Sequence, residues 1–317
     1  MKKRLQFALL LFLFSFFTGV SFGQEFNKKY RYISIGANIN AMNYVGELDP
    51  GPSFFRPAFK FTRPNLGITG LYRLGPRLSI RGNVFWGRIK GDDYQNANYS
   101  DKNINRKIRG LSFRNDIFEV KADAVIDLFE NRGRYIKRPD YTPYLFIGIA
   151  YFHHNPKTYY NGRWVNLQPV QTEGKSYSLH QISIPFGVGF RYKLAKQWDL
   201  AFEIGWRKTF TDYLDDVGGT YADKSTLSPL GAQLSDRSLE KYDPETGLIN
   251  NDPELTRYIF ETQGVDIDPV TGEMFIKGYG REGDQRGDKK GRMDWYIVTG
   301  FHLTYILPSK VVCPKFR

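Results

Sequence analysis

The sequence predicts an all-β protein, an eight-stranded antiparallel transmembrane β-barrel with long extracellular loops. Three observations predict it. From Ile117 to Leu128 the chain alternates, with Phe118, Val120, Ala122, Ala124, Ile126 and Leu128 set against Glu119, Lys121, Asp123 and Asp127. Period 2 places successive side chains on opposite faces, and about ten residues with one apolar and one charged face suit a tilted strand between lipid and lumen. Seven further segments share the pattern, and their connections alternate between short and long, as in a barrel with short periplasmic turns.

The segments follow in order. The first covers Tyr30–Ala41, with Ile33, Ile35, Ala37 and Ile39 on one face. The second is Leu66–Arg73. The third, Arg77–Arg88, sets Leu78, Ile80, Val84 and Trp86 against Ser79, Arg81, Asn83 and Phe85. The fourth is Ile117–Leu128, and the fifth, Pro143–His154, is the most apolar and the least regular. The sixth, Leu179–Lys193, places Ile182, Ile184, Phe186, Val188, Phe190 and Tyr192 together. The seventh runs from Trp198 to Arg207, and the eighth is Asp294–Ile306. Tight turns follow the second and sixth, at Leu74-Gly75-Pro76 and Ala195-Lys196-Gln197. Long connections follow the first, third, fifth and seventh, the last of them residues 208–291. The connection Phe129–Thr142 is unusually long for the periplasmic side. A soluble sandwich is the counter-reading, and it leaves the outward Trp and Phe bands unexplained.

The ends fit export. Lys2, Lys3 and Arg4 precede an apolar run from Leu5 to Phe17, and Ser21-Phe22-Gly23 reads as a cleavage site, so residues 1–23 are expected to be a cleaved signal peptide. Residues 24–306 form the expected barrel and 307–317 a periplasmic tail. No later apolar run approaches the roughly 18–20 residues that a membrane helix requires. An integral membrane protein of this kind must be a closed barrel, because lipid leaves no partner for an open strand edge. The expected location is the cell outer membrane.

Composition agrees. The chain carries 21 Tyr, 25 Phe and 5 Trp, as needed where rings line both membrane interfaces. Its formal charge of +12 could suit nucleic acid, but an exported chain rarely meets any. Anionic lipid head groups of the outer membrane or an acidic protein partner fit better. Cys313 is the only cysteine, so an internal disulfide is excluded, and the choice is between an unpaired tail thiol and a link to another chain.

Eight strands make a barrel filled by its own side chains, without an aqueous channel. The lumen-facing charges Arg81, Glu119, Lys121, Asp123, Asp127, Arg191, Asp199, Glu203 and Arg207 must then pair with one another, because an unpaired buried charge is too costly. A porin is disfavoured. Outside the wall, Asp243-Pro244-Glu245-Thr246-Gly247 and Asp268-Pro269-Val270-Thr271-Gly272 read as turns of two surface hairpins. The segment Arg281–Arg292, rich in Gly and charge, reads as mobile. Asp212, Asp215 and Asp216 could bind a hard cation, although a solvated or arginine-paired acidic loop is the simpler reading. His153 and His154 point to opposite faces of a strand and cannot act as a pair. One of them with Asp212 or Asp215 could serve a rim enzyme, but no nucleophile spacing supports that. Arg132, Arg134, Lys137 and Arg138 make the periplasmic connection basic, a candidate docking patch.

Several strings together resemble a known family. They are Asn43-Tyr44-Val45-Gly46-Glu47-Leu48, Pro143–Ala150, His154-Asn155-Pro156, Leu167-Gln168-Pro169, Thr172-Glu173-Gly174 and Ile184–Gly189. Thr211–Val217 and Ala232-Gln233-Leu234-Ser235-Asp236-Arg237 complete the series. In this order they resemble the PorG-like outer-membrane β-barrel family, associated with type IX secretion and gliding machinery. The resemblance spans roughly Ile33 to Tyr305, and the stretch from about Lys241 to Arg281 departs from a compact version of the family. It implies a small barrel that holds a periplasmic ring of a lipoprotein and its partner, with no catalytic residues and no cofactor. The expected function is therefore a non-enzymatic anchor or assembly factor, with Arg132, Arg134, Lys137, Arg138 and the Lys310–Arg317 tail bearing Cys313 as its contact points. The alternative is a surface-binding barrel whose outer loops contact glycan, metal or another cell.

Overall fold

The structure is a computed structural model that describes residues 30–48, 59–96, 104–131, 133–269, 272–287 and 293–308. The expected signal peptide, Arg132, Cys313 and the Lys310–Arg317 tail lie outside the described residues.

Alternation along the chain produces strands β1 (Tyr32–Val45), β2 (Arg63–Arg73), β3 (Leu78–Asp92), β4 (Ser112–Asp127), β5 (Tyr141–Tyr160), β6 (Arg163–Asn166), β7 (His180–Lys193) and β8 (Trp198–Thr209). Two small pairs, β9 (Tyr242–Asp243) with β10 (Leu248–Ile249) and β11 (Val265–Ile267) with β12 (Met274–Ile276), precede β13 (Trp295–Leu307). β1 pairs with both β2 and β13, and β4 pairs with β5, so eight strands close into an antiparallel barrel in which every wall strand has two neighbours. The ninth strand of this sheet, β6, extends the outer half of β5 as a hairpin. Its two-residue turn is Asn161-Gly162, with both residues at positive φ as this turn type demands. The hairpins expected at the two Asp-Pro-x-Thr-Gly strings are present, with Gly247 and Gly272 in the left-handed region.

Across the middle of the wall, apolar side chains point outward and charged ones inward. Ile39, Ile68, Ile80, Ile149 and Phe301 are exposed on the outside, while Arg81, Glu119, Lys121 and Glu203 are buried inside. This outward apolar band has nowhere to go but lipid. Rings bound it at both ends. Tyr72, Tyr141, Phe190, Trp198 and Tyr305 stand near the short turns, and Trp86, Phe118, Phe186, Trp206 and Trp295 near the long connections.

Above the second ring the pattern inverts. In β4, Phe118 faces out and Glu119 in, but one step further Asp116 and Arg114 face out while Ile117 and Phe113 are buried. β3 does the same, with Arg88 and Lys90 outward and Ile89 buried. The strands thus run well past the lipid into water. There their inner faces pack on Met42, Tyr44, Leu48, Leu111, Phe152, Leu214, Val217 and Tyr296 to close the outer mouth. A second apolar cluster, Ile104, Ile108, Ile249, Leu255, Ile259, Ile276 and Tyr279, gives the long last connection its own core against the helix Ile104–Arg109. Within the segment expected to be mobile, Arg281–Arg292, the described part holds one anchored residue. Arg286 is buried, donating to Glu173 at 3.0 Å and to the carbonyls of Asp216 and Ser235. Its charge finds acceptors that a sequence window cannot see.

Candidate functional site

The lumen is a packed ionic core. Arg81, inward on β3, donates to Asp123 Oδ2 from Nε and Nη2 at 3.1 and 2.9 Å and also pairs with Glu203 on β8. Lys121 donates to the same Asp123 oxygen at 2.7 Å, and the Tyr144 hydroxyl donates to Glu203. On the outer side Arg207 lies 3.5 Å from Glu119, which also accepts from the Tyr296 hydroxyl. On the periplasmic side Arg191 pairs with Asp127 at 3.1 Å, and Asp199 pairs with Arg138. All nine lumen residues singled out in the sequence therefore meet in one interior. Two cations were missing from that set. Arg73 at the end of β2 donates to Asp127 at 2.6 Å, and Arg138 enters from the periplasmic connection. The interior then holds the cations Arg73, Arg81, Lys121, Arg138, Arg191 and Arg207 against five carboxylates. His302 adds a ring nitrogen 3.4 Å from Glu203. Two cavities here measure about 10 and 20 Å³, room for about one water each.

Arg138 corrects the proposed periplasmic patch. It is 5% exposed and donates to Asp199 and to the carbonyls of Tyr135, Ala195, Lys196 and Trp198. A guanidinium offers five donors in a fixed fork, and here they bolt the connection across the barrel floor. No donor is left for a partner. Its neighbours differ. The 3-10 turn Tyr135–Lys137 leaves Arg134, Ile136 and Lys137 exposed, and Tyr135 packs edge-on against Tyr32 at 6.3 Å. Of the described residues in this turn, Arg134, Ile136 and Lys137 are the exposed ones.

The outer mouth holds a second polar cluster, built from loops. Tyr44 at the end of β1 points its hydroxyl at Asp215 Oδ2 and Asp294 Oδ1, each 2.7 Å away, with Glu47 Oε2 at 3.5 Å. Asp215 also accepts from Val217 N–H and Asp294 from Leu214 N–H. A phenol has one proton to donate, so the second short contact requires a proton on one carboxyl. Burial and the neighbouring Glu47 push Asp215 above the ordinary carboxylate range, and burial, Asp215 and Glu47 push Asp294 up in the same way. Gly46 permits this crowding, since a Cβ there would lie 1.9 Å from the Tyr44 hydroxyl oxygen and 2.1 Å from Asp294 Oδ1.

The acidic trio read from the sequence does not assemble. Asp215 joins Tyr44, while Asp216 turns away to accept from Thr172 and Tyr177 beside Arg286. Burial pushes Asp216 up to about 6, with Arg286 pulling the other way. Successive residues of a loop diverge, and among the described residues the group that could offer a cation one oxygen each within 4.8 Å is Glu47, Asp212 and Asp294. His154 is buried inward with Asn115 Nδ2 at 3.2 Å from its Nδ1, and His153 faces outward, so the two do not combine. Sequence reasoning missed Glu47, Asp294, Arg109 and Arg286. The signal available for the first was its place in the string Asn43–Leu48. Arg109 pairs with Asp93 and donates to the carbonyls of Glu47 and Arg286, stitching three connections together.

A closed barrel with an apolar exterior, two aromatic rings and a charged, filled interior is an outer-membrane β-barrel. Three solved structures are similar to this chain. The neisserial surface protein A matches at 9% identity over 86% of this chain and 96% of that chain, with a TM-score of 0.37. OprG from Pseudomonas aeruginosa matches at 9% identity over 87% and 97%, TM-score 0.38. A major outer membrane protein from Thermus thermophilus matches at 10% identity over 87% and 99%, TM-score 0.36. A search of the curated proteins finds no match. A family model, described as a domain of unknown function (DUF6089), matches residues 10–233, and the chain belongs to that family.

Proposed function

We propose that this barrel is a non-enzymatic anchor or assembly factor for an envelope complex, the periplasmic ring of a type IX secretion or gliding machinery. The observation that carries the reading is the periplasmic turn. Arg134, Ile136 and Lys137 are exposed on a short helix that Arg138 holds rigid, so a partner meets a fixed surface with one apolar and two cationic contacts. The lumen is filled, so function sits at the ends. The resemblance to PorG-like barrels supplies the partner class, a periplasmic lipoprotein or its ring companion. The test replaces Arg134, Ile136 and Lys137 by Ser and measures recovery of periplasmic proteins after cross-linking in cells. Loss of recovery with the barrel still assembled supports the reading, and unchanged recovery sinks it.

A second reading rests on the outer cap. The last connection has its own apolar cluster and buried arginines, a large ordered structure facing outward. That suits a surface-binding module for glycan or another cell. Deleting residues 241–280 while retaining secretion, with loss of a surface phenotype, would favour it over the anchor.

A further inference from the structure

On the outward face of the wall, just beyond the outer ring of aromatics, three cations stand side by side. Lys90 on β3 is directly opposite Arg114 on β4, and Arg114 is directly opposite Lys157 on β5. Like charges at directly paired positions repel, so a sheet has no internal reason to place three in a row. The rows beneath set the level. Trp86, Phe118 and His153 form the cross-strand row of the aromatic ring, and Arg88, Asp116 and Asn155 come next. At a rise of roughly 3.4 Å per residue and a tilt of about 40°, the cationic row stands on the order of 10 Å beyond the ring. That is head-group height.

Two nearby acids among the described residues, Asp116 and Asp92, have other partners. Asp116 pairs with Arg88 at 2.5 Å and lies 3.9 Å from Arg114 Nε, beyond hydrogen-bond reach. Asp92, one row further out, accepts from Gln95 N–H at 3.0 Å. Arg114 has its guanidinium carbon 4.0 Å from the centre of the Trp164 ring on β6, which holds the group flat against the wall. Trp164 is steadied in turn by Tyr159, edge-on at 5.3 Å. Lys90 sits 5.7 Å from the Phe61 ring. These are preorganised donors on the outward face, and among the described residues no acid is directly paired across the strands with any of the three.

We propose that Lys90, Arg114 and Lys157 bind the phosphate of an anionic glycolipid in the outer leaflet, with Trp164 packing beside its head group. A phosphate accepts from an arginine fork and two ammonium groups at once, which removes the repulsion within the row. The occupant is a lipid because the row stands at head-group height, directly above the aromatic ring that marks the hydrocarbon edge.

The test uses the full mature chain in nanodiscs of phosphatidylcholine doped with bisphosphorylated lipid A or its dephosphorylated form. Lipid retained per barrel is read by native mass spectrometry. Preferential retention of the phosphorylated form is expected, falling about tenfold or more when Lys90, Arg114 and Lys157 are all changed to Gln. Lys208→Gln, an outward cation on β8, should leave retention unchanged. Heat-modifiable migration on gels reports folding, and Lys90→Arg with Lys157→Arg should preserve retention if charge is what matters. Equal retention of both lipid forms, or a triple variant that folds and retains as much as the native chain, overturns the proposal. Displacement of the lipid by millimolar inorganic phosphate would also overturn it, pointing to a site for the free anion.

Discussion

The wall interior and the outer cap each bury several carboxylates, but they arrange the balancing charge differently. In the wall, Asp123, Asp127, Asp199 and Glu203 each have an arginine within salt-bridge distance, and some face two cations. In the cap, Glu47, Asp215 and Asp294 gather around one tyrosine hydroxyl. Arg109, which approaches them, spends its side chain on Asp93 and backbone carbonyls. One cluster is neutralised by cations; in the other, burial and the neighbouring carboxylates make Asp215 and Asp294 hold protons more tightly. The wall should therefore depend on its arginines and the cap on pH.

The strongest way to break the comparison is Arg81→Met. It leaves Asp123 and Glu203 buried with less compensation, a loss of about 3–5 kcal/mol by analogy with other broken buried pairs. Thermal unfolding of the refolded barrel should show it across all wall strands. Tyr44→Phe should cost less, about 1–3 kcal/mol, and only in the cap. Hydrogen exchange should rise across residues 210–294 while wall amides stay protected, and a global loss of protection would refute the separation.

The pH response is a smaller effect with a definite sign. Asp215, Asp294 and Asp216 hold protons more tightly in the folded cap than in an unfolded chain. Between the ordinary carboxylate range near pH 4 and their raised values, folding takes up protons, so cap stability falls as pH rises, by up to ~1.4 kcal/mol per pH unit per group. Acidifying from pH 7.5 to 5 should slow exchange in residues 210–294, with wall amides as the internal reference. Asp294→Asn mimics the protonated acid. It should change little at pH 5, stabilise the cap at pH 7.5 and flatten the slope; an unchanged slope would remove Asp294 from the proton count.

The wall was legible in the sequence because lipid imposes one rule on every strand, apolar out and polar in. Ile117–Leu128 shows it plainly. The strand ends were read short for a related reason. Past Trp86 and Phe118 the solvent outside is water and the inside is an apolar plug, so the alternation continues with its faces exchanged. A reader following one apolar face stops at Arg88 and Ile117, although β3 reaches Asp92 and β4 begins at Ser112. β5 likewise runs on to Tyr160, past the expected end at His154. The cap was not legible as a site. Tyr44, Asp215 and Asp294 lie far apart in the chain, and only closure of β1 on β13 brings them together. Arg138 misled for the opposite reason. A basic run reads as surface, and nothing local distinguishes the one arginine that turns inward.

The exchange of faces along β3 and β4 has a mechanical consequence. It works as a height gauge. Sinking the barrel by two residues would carry Arg88, Arg114 and their neighbours toward hydrocarbon, at up to about 2–4 kcal/mol for each cation that reaches the midplane. Raising it would lift Leu66, Trp86 and Phe118 at the outer rim out of lipid. The chain is thereby held at one depth and cannot bob, so the exposed turn at its lower rim, Arg134 to Lys137, is held at a constant distance from the membrane surface.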